Sequence, residues 1–169
     1  LRADEGGWQA VAPSAVSFGD GYAQPHELSL DEIAGIVTAF VAAARRAVAA
    51  GFQAVEIHAA HGYLMHEFLS PLANRRTDQY GGSFDNRTRL LREVVAAIRT
   101  VWPDRLPLLV RLSATDWVDG GWSADETVEL CRSLKALGVD LADISTAGLV
   151  PTAKIPAAPG FQTQFATRV

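Results

Sequence analysis

The chain has 169 residues, 49% of them hydrophobic and 20% charged, with a net charge of -4. This is the length and balance of one globular domain with a real core, and the acidic balance with scattered Lys and Arg excludes a nucleic-acid footprint. Cys131 is the only cysteine, which excludes a disulfide framework and a cysteine metal cluster, and no apolar run reaches membrane-spanning length because Arg45 and Arg46 interrupt the best candidate.

No signal peptide is evident. With a single free cysteine, this gives the expectation of a cytoplasmic protein. Leu1 is not an initiator methionine, and Val169 falls in what reads as the start of a helix. Both ends are therefore expected to be cuts inside a longer product, with residues 1–169 forming a single partial domain.

In chain order, a first helix is predicted from Ser29. Ser29 and Glu32 form a capping box, each side chain satisfying an otherwise unpaired N–H at the helix start. Ile33, Ile36, Val37, Phe40, Val41, Ala44 and Val48 recur at helical spacing, and Gly51 supplies the left-handed stop. A short strand follows over Ala54 to His58. From Ala59 to Ser83 runs a connection about twice as long as structureless loops usually are in compact domains. Its Asn74, Arg75, Arg76, Asp78 and Gly81-Gly82 are expected to pin it through ion pairs and tight turns, with Asp85, Asn86 and Arg87 capping the next helix.

That helix presents Leu90, Leu91, Val94, Val95, Ile98 and Val101 on one face. A second strand is predicted over Leu108 to Leu112. A second capping box, Ser123 with Glu126, opens a third helix carrying Val128, Cys131, Leu134 and Leu137. Gly138 ends it, and Val139 to Ser145 reads as a third strand.

An internal repeat relates Gly51–His58 to Gly138–Ser145, matching Glu56 to Asp143, Ile57 to Ile144 and His58 to Ser145. Alternating strands and helices predict βα units and a parallel sheet. Side chains two apart share a face. Ala54, Glu56 and His58 therefore share one face, as do Leu109, Arg111 and Ser113, and Leu141, Asp143 and Ser145. The opposite faces are purely apolar. One apolar face and one turning polar toward the C-terminal end is the pattern of a (β/α)8 barrel strand. An open doubly wound sheet has helices on both faces and leaves no place for such polar rows. A full barrel needs roughly 250 residues, so the chain reads as the middle part of a TIM barrel, about three βα units.

The chemistry-bearing residues cluster after the first strand. His58 ends it, and His61 lies in the following turn; together they can donate two hydrogen bonds to one oxygen. An isolated H-x-x-H more often caps backbone carbonyls, and next most often binds metal. Tyr63 carries a phenol with an ordinary pKa of about 10, able to protonate a strongly basic carbanion; alone, it would be read as a packed loop aromatic. Arg111 stands in an apolar strand and must be paired. Glu56 or Asp143 is the expected partner, and its five donors leave capacity for an anionic cofactor or substrate as well. Pro159-Gly160-Phe161-Gln162 marks a further turn near a strand end.

The run Glu56-Ile57-His58-Ala59-Ala60-His61-Gly62-Tyr63-Leu64 decides among these readings, together with Glu67-Phe68-Leu69-Ser70-Pro71, Asn74-Arg75-Arg76, Asp78, Tyr80-Gly81-Gly82-Ser83 and Asn86-Arg87. It closely resembles the Old Yellow Enzyme family of NADH:flavin oxidoreductases, which are FMN-dependent (β/α)8 barrels. The His-Ala-Ala-His pairing looks like the YqjM-like bacterial ene-reductase subclass. Val110-Arg111-Leu112-Ser113-Ala114 and Asp143-Ile144-Ser145 extend the similarity across nearly the whole chain.

The resemblance implies an oxidoreductase that uses FMN, with NADPH or NADH as reductant, to reduce the C=C bond of a small α,β-unsaturated carbonyl compound. His58, Ala59, Ala60 and His61 would form the substrate-binding turn, with His58 and His61 holding the carbonyl oxygen and stabilising enolate charge. Tyr63 would protonate the α-carbon, and Arg111 would sit by the N1/O2 edge of the flavin. No metal is implied, and the full-length protein is expected to be a homo-oligomer. The other flavin-contacting strands and the FMN phosphate site are expected outside residues 1–169. The isolated segment is then expected to be inactive and to associate through exposed sheet edges. The alternatives are a dienoyl-CoA reductase or amine dehydrogenase of the same superfamily, a metal enzyme using His58, His61 and Glu56, and an inactive barrel fragment.

Overall fold

The computed structural model describes residues 3–169. After a short 3-10 turn, the elements are β1 (Val11–Ala12), β2 (His26–Glu27), α1 (Leu30–Ala49), β3 (Val55–Ala59), α2 (Leu64–Leu69), α3 (Phe84–Arg99), β4 (Leu108–Ser113), α4 (Ala124–Ala136), β5 (Leu141–Ser145) and α5 (Thr163–Arg168). β3, β4 and β5 form one parallel sheet in that order, and β1 and β2 a small parallel pair of their own.

Both predicted capping boxes are present, Ser29 with Glu32 and Ser123 with Glu126. Gly51 and Gly138, which end the two matching repeats, have φ of 80° and 90°. β3 lies one residue later and β4 runs one residue further than the sequence reading has them, and the structure departs from it in other places. α3 is capped by Ser83, whose hydroxyl accepts from the Asn86 N–H; Asn86 instead ties back to the carbonyls of Asp78 and Gly81, and Arg87 is buried. β5 begins at Leu141 because Val139 is still used by the helix stop, its N–H donating to the Leu134 carbonyl. The long connection after β3 contains α2, too short for its apolar positions to show a period against the surrounding loop.

The apolar strand faces pack against the helices. Ile57, Ala59, Leu108, Val110 and Leu112 join Leu90, Leu91, Val94, Val95 and Ile98 of α3 and Leu130 and Leu134 of α4 in one core. Each such Leu, Ile or Val side chain contributes roughly 1.5–3 kcal/mol when fully buried. On α4 the deepest positions are Thr127, Leu130 and Leu134, whereas Val128 and Cys131 are half-buried. Thr127 was hidden by its hydroxyl, which donates to the Ala114 carbonyl at 2.9 Å.

The opposite sheet face carries the polar rows. The parallel register sets Glu56 beside Leu109, and Leu109 beside Leu141; one layer up it sets His58 beside Arg111, and Arg111 beside Asp143. Ser113 and Ser145 form the next row. The polar groups thus gather at the C-terminal ends of the strands.

The loop between α2 and α3 is pinned as its sequence suggests. Arg76 pairs with Asp78 at 2.6 Å and donates to the Pro13 and Leu28 carbonyls, clamping the segment before α1 onto the loop. Asn74 bridges the carbonyls of Phe68 and Tyr80. A Cβ on Gly81 would lie 2.2 Å from the Arg76 carbonyl oxygen, so only glycine fits there. Among the described residues no helix is long and apolar enough to cross a membrane.

Candidate active site at the strand ends

β3 delivers His58 on its polar face, and the backbone then turns sharply. His61 and Gly62 both adopt left-handed conformations, with φ of 59° and 75°. Tyr63 follows as the N-cap residue of α2. His58, His61 and Tyr63 consequently form one cluster: the His58 ring centroid lies 5.3 Å from that of His61 and 5.4 Å from that of Tyr63.

The turn is held from two sides. The His61 N–H donates to Ser113 Oγ at 3.0 Å, and the Ser113 hydroxyl donates to the Ala147 carbonyl at 2.8 Å. His61 Nε2 lies 2.7 Å from Ser145 Oγ, which also accepts from Gln162 Nε2 at 3.1 Å. Gln162 belongs to the turn the sequence marked near a strand end. Backbone strain repeats at all three strand ends: besides His61, Trp117 after β4 and Ala147 after β5 have positive φ. Non-glycine residues in this region cluster at functional sites.

Hydrogen-bonding capacity is left open where it can meet a ligand. Among the described residues, His58 makes no side-chain hydrogen bond, His61 Nδ1 has no protein partner, and the Tyr63 hydroxyl, on a side chain 66% exposed, has none. Arg111 lies beside Asp143, as its register requires, with Nε 3.3 Å from Asp143 Oδ2. That N–H is not aimed at the oxygen, so Nε is buried without a hydrogen bond. The guanidinium is attracted to Asp143 without being consumed by it. Glu56, the other expected partner, stands a layer lower beside Leu109.

Burial depresses the pKa of the His61 imidazole below its ordinary value, and the nearby Arg111, His58 and His66 add to the effect against a smaller opposing pull from Asp143. His61 is therefore neutral at pH 7 and offers one N–H, not two.

Ala59 and Ala60 are each 0% exposed. They separate the exposed His58 from the half-buried His61 by two buried positions. His58, His61 and Glu56 do not converge; among the described residues no group of three or more His, Cys, Asp or Glu could hold a metal ion.

Two residues escaped the sequence reading. His66 of α2 is wholly buried, accepting from the Gly62 N–H at 2.9 Å and contacting Asp116 at 2.8 Å. Asp116, also buried, accepts from the Ser70 hydroxyl and the Trp122 N–H. The available signal was a lone histidine among Leu64, Met65, Phe68 and Leu69.

A family model described as the NADH:flavin oxidoreductase / NADH oxidase family matches residues 3–168. The NADPH dehydrogenase of Clostridium acetobutylicum is 49% identical over 158 residues, 93% of this chain and 46% of the relative. A 2-naphthoyl-CoA reductase solved with 2-naphthoyl-CoA superposes with a TM-score of 0.85 at 34% identity, over 95% of this chain and 25% of that one. Morphinone reductase in complex with tetrahydroNAD superposes with a TM-score of 0.75 at 32% identity, over 95% of this chain and 47% of that one. The chain thus spans about half the length of the curated relatives it matches, and its three βα units are part of a (β/α)8 barrel.

Proposed function

Because the chain belongs to the NADH:flavin oxidoreductase / NADH oxidase family, we propose that the whole protein is an FMN-dependent NAD(P)H oxidoreductase that reduces the C=C bond of α,β-unsaturated carbonyl compounds. The observation that carries this reading is the cluster of His58, His61, Tyr63 and Arg111, whose open hydrogen-bonding atoms share the C-terminal ends of β3 and β4.

The residues present fit a flavin. Arg111, whose side chain is 39% exposed beside Asp143, would hold an anionic ring edge through its accessible guanidinium N–H groups. FMN held there would supply hydride chemistry, with NADPH or NADH as the source of reducing equivalents. The protein's own share is orientation, charge stabilisation and proton supply. His58 and the Nδ1 side of His61 hold the carbonyl oxygen, polarise the double bond and stabilise charge as it develops there. Tyr63, exposed at the start of α2, gives its phenolic proton to the α-carbon. The left-handed turn at His61 and Gly62 lets these groups address one small molecule together. The His-Ala-Ala-His pairing supports placement in the YqjM-like bacterial subclass.

A second reading draws on the likeness to 2-naphthoyl-CoA reductase: an unsaturated acyl thioester presents the same carbonyl to the same histidines. Both are tested on full-length protein carrying FMN, reduced anaerobically with NADPH. Cyclohexenone is expected to reoxidise it, and cyclohexanone is not. Reoxidation by an enoyl-CoA but not by cyclohexenone selects the thioester reading, and reoxidation by neither overturns both.

A further inference from the structure

We propose that His66 is a positioning residue for the oxygen-binding turn, anchored by Asp116; this rests on the reading of His58, His61 and Tyr63 given above. The side chains of His66 and Asp116 are both fully buried. A buried imidazole must satisfy both ring nitrogens, and here each partner fixes its role. The Gly62 amide can only donate, so Nδ1 accepts at 2.9 Å; Nε2 carries the ring proton and donates to Asp116 Oδ1 at 2.8 Å.

Asp116 is immobilised in turn. Its second oxygen accepts from the Ser70 hydroxyl at 2.6 Å and the Trp122 N–H at 2.7 Å. Gly121 has no room for a side chain, since a Cβ there would lie 2.7 Å from that same oxygen. A chain of hydrogen bonds therefore runs from the loop after β4, through Asp116 and His66, to one amide in the turn after β3. That amide is the N–H of the peptide joining His61 to Gly62, the one residue that separates His61 from Tyr63. His61 and Tyr63 must address the oxygen and the α-carbon of one substrate, so the angle of this unit sets their relative placement. A histidine that merely filled the core of α2 would not need its acceptor nitrogen directed there.

The test separates the two hydrogen bonds in full-length, FMN-loaded protein. His66→Asn keeps an acceptor near the place of Nδ1 and loses the bond to Asp116. His66→Gln keeps a donor near the place of Nε2 and loses the bond from Gly62. Both are expected to lower Tm. His66→Gln is expected to weaken binding of p-hydroxybenzaldehyde roughly 10- to 100-fold, and His66→Asn, which keeps the acceptor for Gly62 but loses its anchor on Asp116, by a smaller factor of roughly 3- to 10-fold, because small misplacements of positioned groups have effects of this order. Phenol affinity that falls in parallel with Tm in both variants, or that stays at the wild-type level in His66→Gln, overturns the proposal.

Should both variants fail to fold, histidine 15N NMR of the wild-type protein decides. The Nε2–H tautomer at His66 is required, and an Nδ1–H tautomer or a cation overturns the assignment. A wild-type protein that binds no phenol overturns the reading of the site itself; wild-type binding with an unaffected His66→Gln overturns this inference alone.

Discussion

Tyr63→Phe in the full-length, FMN-loaded protein is expected to slow reoxidation of the reduced enzyme by an enone by roughly 10²- to 10⁴-fold, the usual contribution of a positioned general acid. Flavin reduction by NADPH is expected to stay nearly unchanged, because that half-reaction delivers no proton to a substrate carbon. The structure explains why the substitution should be clean. Tyr63 is mostly exposed, its hydroxyl has no hydrogen-bond partner among the described residues, and its ring meets that of His58 edge-on. Removing one oxygen leaves no buried group unsatisfied, so the fold and the turn should persist. Stopped-flow measurement of the two half-reactions checks this; equal slowing of both would refute the proton-donor role.

Gly62→Ala should have the largest effect on the integrity of the site. A Cβ there would lie 2.1 Å from the Gly148 carbonyl oxygen, which is backbone and cannot rotate away. The contact is reciprocal, since a Cβ on Gly148 would lie 2.5 Å from the His61 Cα. The turn after β3 and the turn after β5 thus approach to a distance only glycine permits. Gly62 also has φ of 75°, where a side chain costs about 1–2 kcal/mol before any clash. Adding overpacking of about 1–3 kcal/mol gives an expected loss of about 2–5 kcal/mol. Chemical denaturation checks the stability, and phenol titration of the folded fraction checks the site. A variant with wild-type stability and phenol affinity would mean that the two turns do not meet as described.

The sequence made the fold legible wherever a local signal and a tertiary demand coincided. Both capping boxes, the helix-ending glycines and the two-residue alternation of the strands are written in short windows, and all appear in the structure. The alternation also put Arg111 on one face with Glu56 and Asp143 as possible partners; the register, which strand period does not give, selects Asp143. α2 was lost because six residues hold too few turns to display a period. His66 and Asp116 were lost for another reason. They lie 50 positions apart, and their pairing depends on two loops meeting, which no local pattern reports. The positive φ at His61, Trp117 and Ala147 was equally unreadable, since none is glycine. The burial of Ala59 and Ala60, between the two histidines of the motif, was not readable either, because a motif gives adjacency along the chain and not the direction of each side chain.

The central claim is that His58 and His61 together hold a ligand oxygen beside the flavin. Titration of the FMN-loaded full-length protein with p-hydroxybenzaldehyde tests it most directly, comparing wild type with the His58→Ala/His61→Ala double variant and using retained flavin binding as the control for folding. The account predicts a long-wavelength charge-transfer band in the wild type, and in the double variant its disappearance or an affinity loss of roughly 100-fold or more, as expected when the donors to an oxyanion are removed. A band of unchanged position and affinity in the double variant would contradict it.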